Sequence, residues 1–128
     1  MKIREKIWQA YDHGLKDLPL VTPAPAEPGT RHARHLYTIL LDLKALRINR
    51  DQFQHELFKM KIGTGIHFIS LHLQPYYRKA FGFKPQDFPN AAWLSERTLS
   101  LPLSAGMSIR DVEGVLLAVK KIVKAHKR

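Results

Sequence analysis

The sequence predicts an α+β fold: a small, mainly antiparallel sheet with helices packed against it. Three observations carry that prediction. Apolar residues recur at helical spacing at both ends of the chain, short runs rich in leucine, isoleucine, threonine and tyrosine lie between them, and proline or glycine separates one run from the next. The resulting order is helix, strand, helix, strand, helix, strand, helix, and elements in that order bury their apolar faces by packing helices on a small sheet. A length of 128 residues suits one domain with one core.

Ile3, Ile7, Tyr11, Leu15 and Leu18 line one face of a first helix that ends before Pro19. No Ser, Thr, Asp or Asn precedes it to satisfy its first amide groups, so residues 1–18 read as an inter-domain helix cut from a longer one. Pro19, Pro23, Pro25, Pro28 and Gly29 make residues 19–34 an extended linker. Residues 35–128 then form the α+β core. His35 to Asp42, apolar on both alternating faces, reads as an inner strand covered on each side. Asn49 caps the next helix with Gln52 completing a capping box, Phe53, Leu57 and Met60 form its buried stripe, and the helix ends near Gly63. Thr64 to Ile69 reads as a second strand, and Leu73 to Phe88 as a long irregular or briefly helical loop. Pro89 opens a helix running to about Thr98, and Leu99, Leu101 and Leu103 alternate in a third strand that Pro102 assigns to a sheet edge. Ser108 with Asp111 caps a last helix, whose apolar face is Val112, Val115, Leu116, Val119, Ile122 and Val123.

Composition narrows the function classes. No apolar run approaches the roughly 20 residues that cross a bilayer, and Met1 to Lys6 lacks the apolar centre of a signal peptide. With no cysteine there is neither a disulfide framework nor a thiolate metal site, and the expected compartment is the cytoplasm. A formal charge of +10 raises the alternative of a basic nucleic-acid-binding module, which salt-sensitive association with RNA or DNA would reveal. Much of the excess, however, sits at the chain ends. Lys120, Lys121, Lys124, Lys127 and Arg128 complement the negative end of the last helix without needing a ligand.

The stretch Gly63-Thr64-Gly65-Ile66-His67-Phe68, followed by His72-Leu73-Gln74-Pro75-Tyr76-Tyr77-Arg78, puts an imidazole on the strand face opposite Ile66 and Phe68, with an aromatic turn close behind. That layout suits a polar ring beside a ligand, or a sheet histidine satisfied by a backbone carbonyl. Tyr76, Tyr77 and Arg78 suit a phosphate or base, or an aromatic anchor for the loop. His32, His35, His67 and His72 do not make a zinc set: odd spacing sends His32 and His35 to opposite faces of a strand, and no thiolate or evident carboxylate completes it. Trp8 and Trp93 read as core or interface packing. Ser95 and Glu96, adjacent on a helix, do not face one another and assemble no catalytic pair.

Together with other runs, this stretch resembles the C-terminal region of nucleotide-sugar aminotransferases of the DegT/DnrJ/StrS type. The same resemblance runs through His35-Leu36-Tyr37, Phe88-Pro89-Asn90-Ala91-Ala92, Ser95-Glu96-Arg97, Leu99-Ser100-Leu101-Pro102-Leu103 and Met107 to Val112, in the family's order and over nearly the whole chain. It implies the small C-terminal domain of a fold-type I aminotransferase, with pyridoxal phosphate as cofactor in the parent enzyme. It also implies a homodimer that moves an amino group, usually from glutamate, onto a nucleotide-linked keto-sugar. The family's S-x-x-K stretch and glycine-rich segment have no counterpart here, since none of Ser70, Ser95, Ser100, Ser104 and Ser108 has lysine three residues on. The resemblance thus implies a missing N-terminal pyridoxal-phosphate-binding domain, no catalytic or cofactor-binding residue in this chain, and no activity of the chain alone. What it leaves to this chain is orientation of the sugar, through His67 first, then His72, Tyr77 and His35. Phe68 stands where many relatives carry tyrosine and lacks that hydroxyl. A folded but non-catalytic remnant of a split or truncated gene is the other reading, and it would show neither aldimine absorbance nor specific ligand binding.

Overall fold

The computed structural model describes residues 2–128. Its elements are α1 (Lys2–Leu15), β1 (Leu20–Val21), β2 (Tyr37–Leu41), α2 (Arg50–Lys59), α3 (Pro75–Phe81), α4 (Pro89–Arg97), β3 (Thr98–Leu101) and α5 (Ile109–His126), with 3-10 turns at Leu71–Leu73 and Pro85–Asp87. The three strands form one antiparallel sheet in the order β1-β2-β3. This is the expected α+β layer, with β2 in the centre and β3 at an edge.

The register places Tyr37, Thr38, Ile39 and Leu40 opposite Leu101, Ser100, Leu99 and Thr98. Because side chains alternate across a strand, Tyr37, Ile39, Leu99 and Leu101 share one face and Thr38, Leu40, Thr98 and Ser100 the other. The first face is the core. It packs on Ile7, Trp8, Tyr11 and Leu15 of α1, Phe53 and Leu57 of α2, and the Val112-to-Val123 stripe of α5. Helices α1 and α5 meet so closely at Gly14 that a Cβ there would lie 2.6 Å from Leu116 Cδ2. Two buried phenols tie the layers together: the Tyr11 hydroxyl donates to the Pro102 carbonyl (2.8 Å) and the Tyr37 hydroxyl to Asp12 Oδ1 (2.7 Å). Burial holds both phenols well above their ordinary pKa, and at Tyr37 the Asp12 carboxylate adds to that shift.

Local signals in the sequence fare well. Asn49 Oδ1 accepts from the Gln52 amide while Gln52 Oε1 accepts from the Asn49 amide, each at 2.9 Å, and Ser108 pairs reciprocally with Asp111. Pro89 occupies the first turn of α4. The Leu73-to-Phe88 loop holds the two-turn α3, ended by Gly82 in the left-handed conformation (φ 69°) that glycine adopts without strain.

Several expectations need correction. Thr64 to Ile69 forms no strand: it contributes one bridge, Gly65 to Ser100, with N–H···O distances of 3.1 and 2.7 Å. Beyond it the chain is tied to α4 at Ser70, whose amide donates to Ser95 Oγ (3.1 Å) and whose hydroxyl donates to the Ala91 carbonyl (2.7 Å). The stretch read as linker contains strand β1, which pairs Leu20 with Leu41. Its prolines do not interfere, since Pro19 supplies only its carbonyl, to the Asp42 amide (3.0 Å), and the others follow the strand. Strand β2 is covered on one face only; Thr38 and Leu40 are half-buried, and His35 lies outside the strand. Met60 and Ile3 are exposed, being respectively the cap of α2 and the start of α1. Trp8 is in the core, whereas Trp93 is exposed under the Arg97 guanidinium (4.7 Å).

Candidate functional site

The second face of the sheet is where polar side chains gather. His67 Nδ1 lies 2.9 Å from Ser100 Oγ, and Ser100 Oγ lies 2.8 Å from Thr38 Oγ1. Three chain segments meet in that contact. The register sets Thr38 across from Ser100, and the Gly65–Ser100 bridge sets the third segment beside both. The imidazole then folds back over Gly65, where a Cβ would lie 2.5 Å from the ring Cε1. Glycine at 65 is therefore a requirement of the ring's position. Ser100 is buried and His67 exposed.

Beside this group lies a cavity of about 430 Å³ lined by Thr38, Leu40, the 67–71 segment, Ala91, Leu94, Ser95 and Thr98. Its walls are apolar, its polar groups are an imidazole and neutral hydroxyls, and its lining includes no Lys, Arg, Asp or Glu. Such a lining suits a neutral, hydroxyl-bearing ligand with some apolar surface.

His72 and Tyr77 belong to a neighbouring aromatic series. Ring centroids follow one another from Tyr76 to Tyr77 (5.4 Å), Phe81 (6.0 Å), Phe83 (5.6 Å), Phe88 (5.5 Å) and His72 (5.0 Å). His72 is buried, and its Nε2 has no hydrogen-bond partner among the described residues. The structure thus joins His72 to Tyr77 through aromatic contacts and places His67 with Ser100 and Thr38. His35 is exposed ahead of β2 and belongs to neither group.

Sequence reasoning missed Ser100, Thr38 and Arg50. The first two had a signal, a hydroxyl residue alternating with Leu99 and Leu101 or with Tyr37 and Ile39, but nothing local says that the two meet. Arg50 is buried, and its guanidinium donates to the Ser95 (3.1 Å) and Thr98 (3.3 Å) carbonyls at the end of α4 and to Asp51 (2.6 Å). It holds in place the helix that forms one wall of the cavity. Among the described residues no group of three or more His, Cys, Asp or Glu side chains could hold a metal ion, and no helix is long and apolar enough to cross a membrane.

This three-stranded sheet with its packed helices is a fold found within aminotransferases. It matches a sugar aminotransferase, Spr1654 of Streptococcus pneumoniae, with a TM-score of 0.85 at 26% identity, covering 97% of this chain and 31% of that one. It matches the aminotransferase TlmJ of Streptoalloteichus hindustanus with a TM-score of 0.81 at 28% identity, covering 97% and 32%. The chain belongs to the DegT/DnrJ/EryC1/StrS aminotransferase family, whose model matches residues 1–120. By sequence it is 47% identical over 127 residues to an uncharacterized protein of Methanocaldococcus jannaschii, covering 98% of this chain and 33% of that protein. It is 45% identical over 125 residues to the spore coat polysaccharide biosynthesis protein SpsC of Bacillus subtilis, covering 96% and 32%. The chain therefore spans about a third of the length of the curated relatives it matches.

The family is pyridoxal-phosphate dependent, and the S. pneumoniae protein has been solved in its PLP form. The residues of this chain do not by themselves fit that cofactor. Every described lysine is solvent-exposed, so none is desolvated as an imine-forming lysine would be, and the lining of the cavity at His67 offers no cation to a phosphate.

Proposed function

We propose that this chain is the smaller, C-terminal domain of a pyridoxal-phosphate-dependent aminotransferase that transfers an amino group to a nucleotide-linked keto-sugar. In this reading the cofactor lies on an N-terminal domain, the active unit is a homodimer, and this chain forms one wall of the substrate site. Family membership and the threefold greater length of the relatives support the domain assignment. The observation that carries the site is the cavity at His67: neutral hydroxyls, an imidazole and apolar walls, without a formal charge in its lining. A sugar ring offers that surface hydroxyls and C–H faces in equal measure. The phosphates of the nucleotide belong elsewhere, because burying them beside uncharged groups would leave their charge uncompensated.

Within this reading His67 is the principal orienting group. Its Nδ1 is taken by Ser100, which leaves Nε2 for an oxygen of the sugar. Phe68, Leu71 and Leu94 cover apolar surface of the ligand, while Tyr77 and His72, in the neighbouring aromatic series, are secondary candidates for the part of the substrate that extends beyond the cavity. His35 stands at the approach to β2. Pyridoxal phosphate, when bound on the other domain, supplies the electron sink for amino transfer. This chain's part is to hold the sugar carbon in reach, and losing one such contact typically costs about 10- to 1000-fold in rate.

The deciding experiment uses the full-length aminotransferase that contains this chain. His67→Ala is expected to lower turnover per folded, cofactor-loaded subunit by that factor while the melting temperature stays within a few degrees. Unchanged turnover with a lowered melting temperature would assign His67 to the sheet alone. For the 128-residue chain by itself, borohydride trapping at limiting pyridoxal phosphate is expected to label no single lysine stoichiometrically; such labelling accompanied by turnover would overturn the domain assignment.

A further inference from the structure

We propose that Ser100 and Thr38 are positioning residues: their hydroxyls donate in series toward His67 and hold its neutral ring as the Nε2–H tautomer, so that the cavity is offered a hydrogen-bond donor. The purpose of that donor rests on the sugar site proposed above, whereas the tautomer stands or falls on the hydrogen bonds alone.

The argument is an accounting of protons. Ser100 Oγ sits between Thr38 Oγ1 at 2.8 Å and His67 Nδ1 at 2.9 Å, on a residue only 3% exposed. Each hydroxyl has one proton to give and can accept as well, and a neutral imidazole has one protonated and one bare nitrogen. Three orders satisfy both contacts, and in each of them three protons serve two contacts, so that one donor is left over. If Nδ1–H donates to Ser100, the proton left over belongs either to the half-buried Thr38 or, where Ser100 accepts from both sides, to the buried Ser100 hydroxyl, and neither has a further hydrogen-bond partner among the described residues. If Thr38 donates to Ser100 and Ser100 to Nδ1, both hydroxyl protons are used and the donor left over is Nε2–H, on an exposed ring that water can reach. A hydroxyl donor left unpaired within the sheet is costlier than a ring N–H open to water, and hydroxyls donating in series polarise one another. The order in which Ser100 donates to the ring leaves Nδ1 bare and puts the ring proton on Nε2.

The geometry gives the ring little freedom to escape this arrangement. Its Cε1 lies where a Cβ on residue 65 would be 2.5 Å away, so the imidazole is seated against the Gly65 backbone, and that backbone is bonded in both directions to Ser100. Ser100 therefore fixes both the position of the segment, through its main chain, and the proton of the ring, through its side chain. An Nε2–H donor selects a lone pair on the ligand, which means that the matching sugar group is a hydroxyl or carbonyl oxygen acting as acceptor.

The test is the histidine-selective ¹⁵N spectrum of the 128-residue chain at mildly alkaline pH, in which the two ring nitrogens report separately whether they carry the proton. His67→Gln assigns the signals. The wild-type ring is expected predominantly in the Nε2–H form, Ser100→Thr should keep that signature because the hydroxyl is retained, and Ser100→Ala should lower the tautomer ratio by about fivefold, as expected for one lost hydrogen bond. Thr38→Val, which leaves Ser100 in place, should give a smaller drop in the same direction and serves as the deciding variant if Ser100→Ala does not fold. An Nδ1–H ring in the wild type, or a ratio unmoved by both Ser100→Ala and Thr38→Val, would overturn the proposal. A wild-type spectrum as expected alongside full turnover of His67→Ala would sink the sugar site and leave the relay standing.

Discussion

Gly65→Ala tests the seating of His67 without touching any group that forms a hydrogen bond through its side chain. The added methyl would lie 2.5 Å from Cε1, 3.2 Å from Nδ1 and 3.3 Å from Nε2 of the ring, whereas ordinary contact begins near 3.4 Å, so the imidazole must retreat by about 0.9 Å. A retreat of that size carries the 2.9 Å contact with Ser100 to the limit of a hydrogen bond or past it. The lost bond costs about 0.5–1.5 kcal/mol. Against this, alanine restricts the unfolded chain and returns about 0.4–1 kcal/mol, because the backbone at Gly65 lies outside the left-handed region and accepts a Cβ. The two effects nearly cancel. The expected outcome is a urea midpoint within about 1 kcal/mol of wild type together with a displaced imidazole, seen as changed His67 ring signals and, in the full-length enzyme, as turnover reduced about as far as in His67→Ala. Ring signals identical to wild type in a folded Gly65→Ala chain would refute the reasoning, since the ring would then not be seated on residue 65.

Gly14→Ala should destabilise the chain even though alanine is the better helix former: a gain of about 1 kcal/mol in propensity is outweighed by about 1–3 kcal/mol of overpacking, because the methyl meets Leu116 at 2.6 and 2.9 Å. Calorimetry on a double-mutant cycle with Leu116→Ala should show the pair costing less than the sum of the singles, and strict additivity would count against the α1–α5 contact. Arg50→Met keeps the apolar stem but removes the donors to the Ser95 and Thr98 carbonyls, and should cost about 2–4 kcal/mol in urea denaturation; a loss below about 1 kcal/mol would show that α4 does not depend on this cap. Asp111 and Glu5 both ionise below their ordinary range, Asp111 because the Ser108 amide and hydroxyl donate to it and Glu5 because Arg34 donates to it. Their unfolded forms bind protons more readily, so the stability they contribute is complete above their ordinary values near pH 4 and is lost as pH falls through the lowered folded-state values. Urea midpoints followed into acid should fall for the wild type and fall less steeply for Asp111→Asn and Glu5→Gln, while parallel curves would remove both groups from the account.

Signals that act within four residues of each other proved readable from the chain. The reciprocal caps Asn49–Gln52 and Ser108–Asp111, proline in the first turn of α4, and the apolar stripe of α5 are short-range matters of hydrogen bonding and periodicity, and they hold wherever the helix later packs. The edge position of β3 was legible for the same reason, since a proline just past a strand limits pairing whatever the partner. The family was legible too, from ordered motifs; no periodicity or charge pattern in the chain would have named a reaction.

Packing decided the rest. Thr64 to Ile69 does not continue as a strand because the chain just beyond it is tied at Ser70 to Ser95 and Ala91 of α4, which are more than 20 positions away. Strand β1 is two residues long, too short to leave a pattern, and exists because β2 offers an open edge. The contact that defines the candidate site joins Thr38 to Ser100 across 62 residues and His67 to Ser100 across 33. Alternation tells which face of its own strand a residue occupies, but only sheet register and a bridge at a glycine bring three such faces to one point.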